Sequence, residues 1–296
     1  MKHKKQTTRQ GIAFLLALAA MFLLTEFLLR AVNPIARSSY FPRNDHEKTV
    51  ALHGTSVFDK VVYGSSPVVA AYREADSSSG YVELGIVYGK VTYLLEMLER
   101  GIITVNEEIV LGLSSLLFLD TLATDHRYIW HQGPFEPYVY FYRDRLNTFI
   151  VDAVDGFLRG DFHLRKYEDM DKWLYFGVLS DENLNKVLAS HKERFWGLDI
   201  TDFADNLQAL GALADYCVSK DIRLRAVWMP VSPKSPAVEL YDKLAAEVNA
   251  ILSERGVEVY DMTNALPVEC FHDFGHLNYE VGAVEFTKEL DIWLGS

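Results

Sequence analysis

Two short motifs far apart in the chain carry side chains that could perform acyl-transfer chemistry. Gly64-Ser65-Ser66 follows a short apolar run, and Asp273-Phe-Gly-His276 lies just before the last predicted helix. The first motif offers a hydroxyl nucleophile, and the second offers an imidazole base with a carboxylate three residues away. A serine activated by a histidine that a carboxylate orients is an arrangement for nucleophilic attack on acyl groups. The motifs therefore predict a serine acyl-transfer enzyme, with either Ser65 or Ser66 as nucleophile.

Each motif alone is also typical of an ordinary structural feature. A Gly-Ser-Ser sequence forms turns readily, and an aspartate or histidine ahead of a helix can simply cap it. On a loop that contains Gly275, however, a carboxylate can accept from one nitrogen of an imidazole three residues later. The other ring nitrogen then faces outward to a hydroxyl. The catalytic interpretation depends on whether the fold brings the two motifs together.

The elements between the motifs alternate between strands and helices. Short β-rich runs predict strands over 59–63, 81–84, 108–111, 222–229 and 257–260, and helical spacing predicts helices over 88–100, 203–220, 237–255 and 279–294. This alternation predicts an α/β fold with a mostly parallel sheet that helices cover on both faces. Ligands bind such sheets beyond the C-terminal ends of the strands. Residues that mark this edge are Gly64, Gly85, Gly112 and Pro230.

Residues from about 115 to 201 interrupt the alternation and predict an aromatic-rich helical insertion after the third strand. Examples are Arg127-Tyr-Ile-Trp-His131 and Tyr138-Val-Tyr-Phe-Tyr142. The rings could stack on sugars, lie at a membrane interface or pack in the core, and core packing is the usual role of most such rings. The histidines of the region have no metal-ligand spacing: His126, His131, His163 and His191. No CxxC or HExxH motif occurs either, so we predict neither a metal nor a cofactor.

The N-terminus predicts a single membrane-spanning helix. Residues 1–10 form a basic tail, and residues 11–31 are nearly continuous apolar sequence, long enough to span a bilayer of ~30 Å. The basic flank predicts a cytoplasmic N-terminus, with a linker over 32–50 and the domain over 51–296 outside the cell membrane. A cleaved signal peptide is the competing interpretation. The small residues suited to cleavage lie in mid-segment, which favours an uncleaved anchor.

Composition narrows the choice of partners. The formal net charge is −12, and no Lys/Arg-rich block follows the first ten residues, which excludes nucleic acid as a partner. An acidic exterior is compatible with small substrates or neutral glycans. The chain has two cysteines, Cys217 and Cys270, which could form one disulfide or remain two separate buried thiols.

From Val61 to Leu294 the chain resembles the SGNH (GDSL-like) hydrolase superfamily. It is most similar to the membrane-anchored branch that includes the D-alanyl transfer protein of teichoic acid modification and alginate acetyltransferase-type proteins. Val-Val-Tyr-Gly64-Ser65-Ser66 corresponds to the first conserved block, whose third motif residue is the nucleophile. Asp273-Phe-Gly-His276-Leu-Asn corresponds to the last block. The resemblance thus implies Ser66, Asp273 and His276 as catalytic residues.

The resemblance also implies an oxyanion hole, with one departure from the family pattern. Gly85 stands at the second block, whose glycine N–H helps bind the oxyanion. The third block usually reads Gly-x-Asn-Asp, but here it is Gly112-Leu-Ser114-Ser115, so a Ser114 hydroxyl takes the place of the asparagine amide. Loss of one oxyanion donor costs about 10²–10³ in rate.

The resemblance implies a three-layer α/β/α fold and an extracytoplasmic serine O-acyltransferase. Such an enzyme moves an acetyl or D-alanyl group through an acyl-serine intermediate to a cell-envelope glycan or polymer. The implied partner is a multi-span membrane O-acyltransferase that supplies the acyl group, and Glu26 in the anchor is a candidate contact with it. One alternative is a carbohydrate esterase that uses water. Another is a non-catalytic assembly or glycan-binding subunit, which the serine at position 114 and the aromatic insertion would suit.

Overall fold

The computed structural model describes residues 2–32, 45–121 and 175–295, together with positions 154, 157, 158 and 160. The chain divides into two units, which are described separately: Met1–Pro42 with His131–Glu168, and Arg43–Trp130 with Asp169–Ser296. Most of the predicted insertion, including its aromatic motifs and three of its four histidines, lies outside the described residues.

The first unit contains one long helix, α1, over Lys2–Val32. Within it, the 19 residues Gln10–Leu28 have a mean hydropathy of 2.2, and their side chains are exposed to solvent rather than packed in a core. By length and composition this helix could cross a membrane. The side of the membrane on which the rest of the chain lies stays a prediction.

The second unit is built on a five-stranded sheet in which every strand runs parallel to its neighbours. The strands are β1 Val57–Gly64, β2 Val82–Glu83, β3 Thr104–Leu113, β4 Arg223–Trp228 and β5 Glu258–Asp261. Their order across the sheet is β2-β1-β3-β4-β5. The predicted α/β class and the parallel sheet are confirmed, and each observed strand overlaps a predicted one.

Helices follow most of the strands along the chain. The described helices of this unit are α2 Asp45–His53, α3 Ser66–Ala71, α4 Val91–Glu99, α5 Ser115–Phe118, α6 Asp181–Phe195, α7 Ala204–Ser219, α8 Glu239–Glu254 and α9 Gly282–Leu294. Helices α4, α7, α8 and α9 lie within the four predicted ones. Residues 45–50 of the predicted linker belong to α2, where the Thr49 hydroxyl donates to the Glu83 carbonyl at 3.0 Å.

Alternate residues along the strands enter two separate hydrophobic clusters. In β1, Val61 and Tyr63 pack in one cluster with α4, α7 and α8, whereas Val62 packs in the other with α3 and α9. Side chains of a strand point alternately to its two faces, so a strand buried on both faces reads as a continuous apolar run. Each cysteine lies in a different cluster, and both thiols are free and buried. Cys217 and Cys270 are therefore separate thiols, not a disulfide.

Strand register places the C-terminal ends of β1, β3, β4 and β5 at one edge of the sheet. Gly64 pairs with Gly112, and Leu113 pairs with Trp228. At this edge α3 packs directly across the ends of β1 and β3. A Cβ at either glycine would overlap Cγ2 of Val68 in α3, so both positions need glycine for close helix packing. This contact fixes the start of α3, where Ser66 lies.

Candidate active site

Ser66 is held at the junction of β1 and α3. It is the first residue of the helix, and the Val68 N–H donates to the Ser65 carbonyl at 2.9 Å to close the first turn. Pro67 suits this turn because its fixed φ matches the helix and it has no N–H to leave unpaired. The first N–H groups of a helix have no acceptor within that helix. The N–H of Ser66 therefore points out of the N-terminal end of α3.

The second motif reaches Ser66 from the loop that precedes α9. His276 Nε2 lies 2.9 Å from Ser66 Oγ, and His276 Nδ1 lies 2.8 Å and 3.0 Å from the two carboxylate oxygens of Asp273. The structure thus brings together the three predicted catalytic side chains in one hydrogen-bonded chain. It also separates the two candidate nucleophiles, because the hydroxyl of Ser65 contacts Ser114 instead, at 3.0 Å.

Asp273 is fixed by its own loop as well as by the imidazole. Its Oδ1 accepts from the backbone N–H groups of Gly275 at 2.9 Å and His276 at 2.8 Å. Burial alone would raise the pKa of Asp273, but the His276 ring and these two N–H groups lower that pKa to about 2. The side chain is therefore a carboxylate at neutral pH. It orients the imidazole with Nδ1–H toward Asp273, which leaves Nε2 to accept the proton of Ser66.

Tyr175 completes the surroundings of the imidazole, and sequence reasoning missed it. Its ring stacks on that of His276 with centroids 4.8 Å apart and an interplanar angle of 19°. The segment 175–180, which lies within the predicted insertion, is bonded to the histidine loop. The Tyr279 N–H donates to the Tyr175 carbonyl at 3.0 Å, and the Leu179 N–H donates to the His272 carbonyl at 3.0 Å. No spacing in the sequence links position 175 to position 276.

The two predicted oxyanion residues differ in their placement. Ser114 follows β3 and lies beside the motif of Ser66, through the Ser65 hydroxyl. The N–H of Gly85, by contrast, donates to the Glu83 carboxylate at 2.6 Å. The flanking N–H groups of Leu84 and Ile86 donate to β1, and alternate N–H groups of a strand point in opposite directions. The Gly85 N–H is therefore directed away from β1 and is already paired, a contact that sequence reasoning missed.

A cavity of about 220 Å³ opens beside the hydrogen-bonded chain, along the C-terminal edge of the sheet. It extends from the start of α3, past the ends of β3 and β4, to the end of β5 and the face of α8 that carries residues 241–249. Residues at the near end are Pro67, Ser114, Gly275 and His276, and residues at the far end are Trp228, Asn249 and Asp261. Tyr241 and Asp242, at the start of α8, also line the cavity. His191, predicted as a surface or core histidine, also lines it.

The arrangement has the parts that acyl transfer through a serine requires. A hydroxyl lies within hydrogen-bond distance of an imidazole, a carboxylate holds that imidazole, and the histidine lines a cavity. Across the residues that the structure describes, no group of three or more His, Cys, Asp or Glu side chains could hold a metal ion.

No protein-family profile matches the sequence, and no curated protein matches it. The resemblance to the SGNH superfamily stays a prediction from the short motifs.

Proposed function

We propose that the protein is a serine O-acyltransferase of SGNH type. One observation carries the proposal: the continuous hydrogen-bonded chain from Ser66 through His276 to Asp273, at the edge of a parallel sheet and beside a cavity. Ser66 lies more than 200 positions before Asp273 and His276 in the chain, and its 2.9 Å contact with His276 is short enough for proton transfer. Helices on both faces of the sheet, in a three-layer α/β/α arrangement, belong to the same proposal.

In the proposed reaction Ser66 Oγ attacks the carbonyl carbon of an acyl donor while His276 Nε2 takes the hydroxyl proton. The tetrahedral intermediate collapses to an acyl-serine, and the imidazolium returns the proton to the leaving group. A hydroxyl of the acceptor then attacks the acyl-serine, His276 removes its proton, and the Ser66 hydroxyl is restored. The Asp273 carboxylate keeps the imidazole oriented and stabilises its charged form in both steps.

The oxyanion of each step needs hydrogen-bond donors close to Ser66. We assign the backbone N–H of Ser66 and the hydroxyl of Ser114 to this role. The fully buried Ser65 hydroxyl is hydrogen-bonded to the Ser114 hydroxyl at 3.0 Å and limits the rotation of Ser114. The Ser114 hydroxyl thus takes the place of the asparagine amide of the family pattern, and Ser65 orients it. The resemblance would assign Gly85 as well, but its N–H is paired with Glu83.

The proposal includes a place at the cell membrane. Helix α1 would anchor the protein, and the acyltransferase domain would lie outside the cell, near a multi-span O-acyltransferase that delivers the acyl group. Tethering both proteins in one membrane raises their effective concentration. Glu26 in α1 is the candidate contact. A Glu26→Leu variant should co-purify poorly with that partner, and unchanged co-purification would contradict the contact.

The test of the proposed function is acylation of one serine. The full chain in detergent, mixed with p-nitrophenyl acetate, should release a burst of nitrophenol and gain one acetyl group, which peptide mass spectrometry places on Ser66. Ser66→Ala should abolish the burst and the label. Ser219→Ala, which removes an exposed hydroxyl at the end of α7, should retain both.

The fate of the acetyl group separates the remaining candidates. Transfer to an added glycan supports the acyltransferase, whereas release of acetate alone would make the protein a carbohydrate esterase. A Ser66→Ala variant that supports envelope modification as well as the wild type would instead indicate a non-catalytic subunit.

A further inference from the structure

We propose that the far end of the cavity binds one uncharged sugar unit of the acceptor and disfavours anionic polymers. This inference rests on the proposed function, because it treats the cavity as the acceptor side of the acyl-serine. It concerns the chemical class of the acceptor, which the motifs leave open between neutral and charged glycans.

The far end of the cavity combines an aromatic ring with hydrogen-bonding groups. The Trp228 indole N–H donates to Asn249 Oδ1 at 2.9 Å, which holds the ring and leaves the Asn249 amide donors for another partner. The half-buried Trp228 offers its remaining surface to the cavity. A sugar ring presents C–H groups on one face and hydroxyls at its edge, so it matches an aromatic face surrounded by polar side chains.

Two carboxylates set the charge of this cavity. Asp242 and Asp261 both line it, and the described residues that line it include no lysine or arginine. One oxygen of Asp261 accepts from the Thr263 N–H at 2.9 Å, which fixes the carboxylate in place. Lys234, in the adjoining segment, lies 3.9 Å from Asp181. Sugar hydroxyls can donate to these carboxylates, whereas a uronate or phosphate unit would face two like charges.

The polar side chains at the far end of the cavity argue against a long acyl chain as the occupant of that end. A volume of about 220 Å³ has room for one sugar ring. A hydrocarbon chain there would take the exposed polar groups of Asn249 and Asp261 out of water without offering them any hydrogen bond, which is costly. The near end of the same cavity includes His276, so a hydroxyl of a bound sugar can reach the base that activates it.

The first experiment compares acceptors that differ in charge. The full chain in detergent, with p-nitrophenyl acetate as donor, is given equal concentrations of a cello-oligosaccharide and an oligogalacturonide of the same length. Mass spectrometry of the products should show at least about tenfold more acetyl transfer to the neutral acceptor at low ionic strength, and added salt should narrow the ratio. Equal transfer, or preference for the uronate, would overturn the inference.

The second experiment changes the cavity itself. Trp228→Leu should raise the KM for the cello-oligosaccharide about tenfold. Trp196→Leu is the matched control, because Trp196 is 53% exposed and does not line the cavity. The double variant Asp242→Lys with Asp261→Lys should shift the acceptor ratio toward the uronate by about tenfold. An unchanged ratio in that variant, if it folds with wild-type thermal stability, would contradict the assignment of these carboxylates.

Binding without reaction separates failure of this inference from failure of the proposed function. Saturation-transfer NMR on Ser66→Ala should show contact with the cello-oligosaccharide and its loss in Ser66→Ala with Trp228→Leu. If Ser66 becomes acetylated but no neutral sugar binds, the inference fails and the proposed function stands. If the sugar binds but Ser66 is never acetylated, the proposed function fails, and the cavity is a sugar site of a protein with another role.

Discussion

Two networks of titratable side chains in the second unit differ in what they face. Asp273 and His276 lie at the edge of the sheet, and His276 lines a cavity. Glu108 and Arg225 form an ion pair on neighbouring strands, where they are 6% and 1% exposed. The Arg225 guanidinium also donates to the Tyr81 hydroxyl at 3.0 Å and lies over the Trp293 ring, 4.7 Å from its centroid.

The comparison shows that a buried charge does not by itself mark a functional site. Burial and the neighbouring Glu108 carboxylate raise the pKa of Tyr81 to about 12, although Arg225 acts in the opposite direction. This shift is as large as many in active sites, yet all three side chains are enclosed by protein. We call Asp273 and His276 the edge network, and Glu108, Arg225 and Tyr81 the enclosed network. The edge network differs because a substrate in the cavity can reach His276. We therefore expect the enclosed network to govern stability and the edge network to govern rate.

The largest expected effect comes from breaking the edge network at its carboxylate. Asp273→Asn should reduce the rate of Ser66 acylation about 10⁴-fold, because an amide no longer holds the imidazole in the tautomer that accepts the serine proton. Stopped-flow measurement of the nitrophenol burst checks this. Asp215→Asn, which alters a surface partner of Arg255, is the control and should leave the burst unchanged. A normal burst in Asp273→Asn would remove the carboxylate from the mechanism.

The same carboxylate also gives a pH dependence of stability. The pKa of Asp273 is about 2 in the folded protein, below its ordinary value of 3.8. Its contribution to stability is therefore fully present above pH 3.8 and is lost as the pH falls from there toward 2. Chemical denaturation at several pH values in this range should show that the free energy of unfolding falls more steeply with decreasing pH in the wild type than in Asp273→Asn.

Breaking the enclosed network should lower the stability of the protein and leave its acylation rate unchanged. Glu108→Ala leaves the Arg225 charge buried without its carboxylate partner, which should lower the free energy of unfolding by about 3–5 kcal/mol. The acylation rate per folded molecule should stay unchanged. Glu182→Ala, which removes the partner of Lys186 in an exposed ion pair, should cost about 1 kcal/mol or less. A large loss of acylation rate in fully folded Glu108→Ala protein would contradict the expectation that the enclosed network governs stability and the edge network governs rate.

Sequence patterns were sufficient to predict the fold class and the central contact of the site. Strands buried on both faces produce continuous apolar runs, so β1, β3 and β4 stand out, and glycines at two strand ends mark where α3 packs. A parallel sheet gathers its strand ends at one edge. That geometry makes a contact between Ser66 and His276 predictable although 210 positions separate them.

Other contacts of the site could not be predicted, for reasons specific to each. The direction of the Gly85 N–H depends on its register against β1, which no motif records. Tyr175 reaches His276 only because a segment remote from both motifs is bonded to the histidine loop. The short helix α3 has six residues and no helical repeat, so periodicity does not reveal it.

The next smaller effect on rate is expected when the proposed oxyanion donor beside the edge network is removed. Ser114→Ala should reduce the acylation rate about 10²–10³-fold with little change in the KM of the ester, because the donor acts on the transition state. Ser65→Ala should have a smaller effect, since it removes only the partner that orients Ser114. The double variant should be no slower than Ser114→Ala alone. Additive losses would mean that the two hydroxyls act independently.

The smallest expected effect concerns the ring that covers the imidazole. Tyr175→Leu removes the stacked ring, which holds His276 in the plane between Ser66 and Asp273. We expect kcat to fall about tenfold with little change in KM, and Tyr175→Phe, which keeps the ring, to restore most of the rate. The proton NMR signal of the His276 Nδ1–H, bonded to Asp273, should broaden in Tyr175→Leu and stay sharp in Tyr175→Phe. If both variants lose rate equally, the hydroxyl of Tyr175 matters more than its stacking, and the edge network extends by one polar group beyond the three side chains assigned to it.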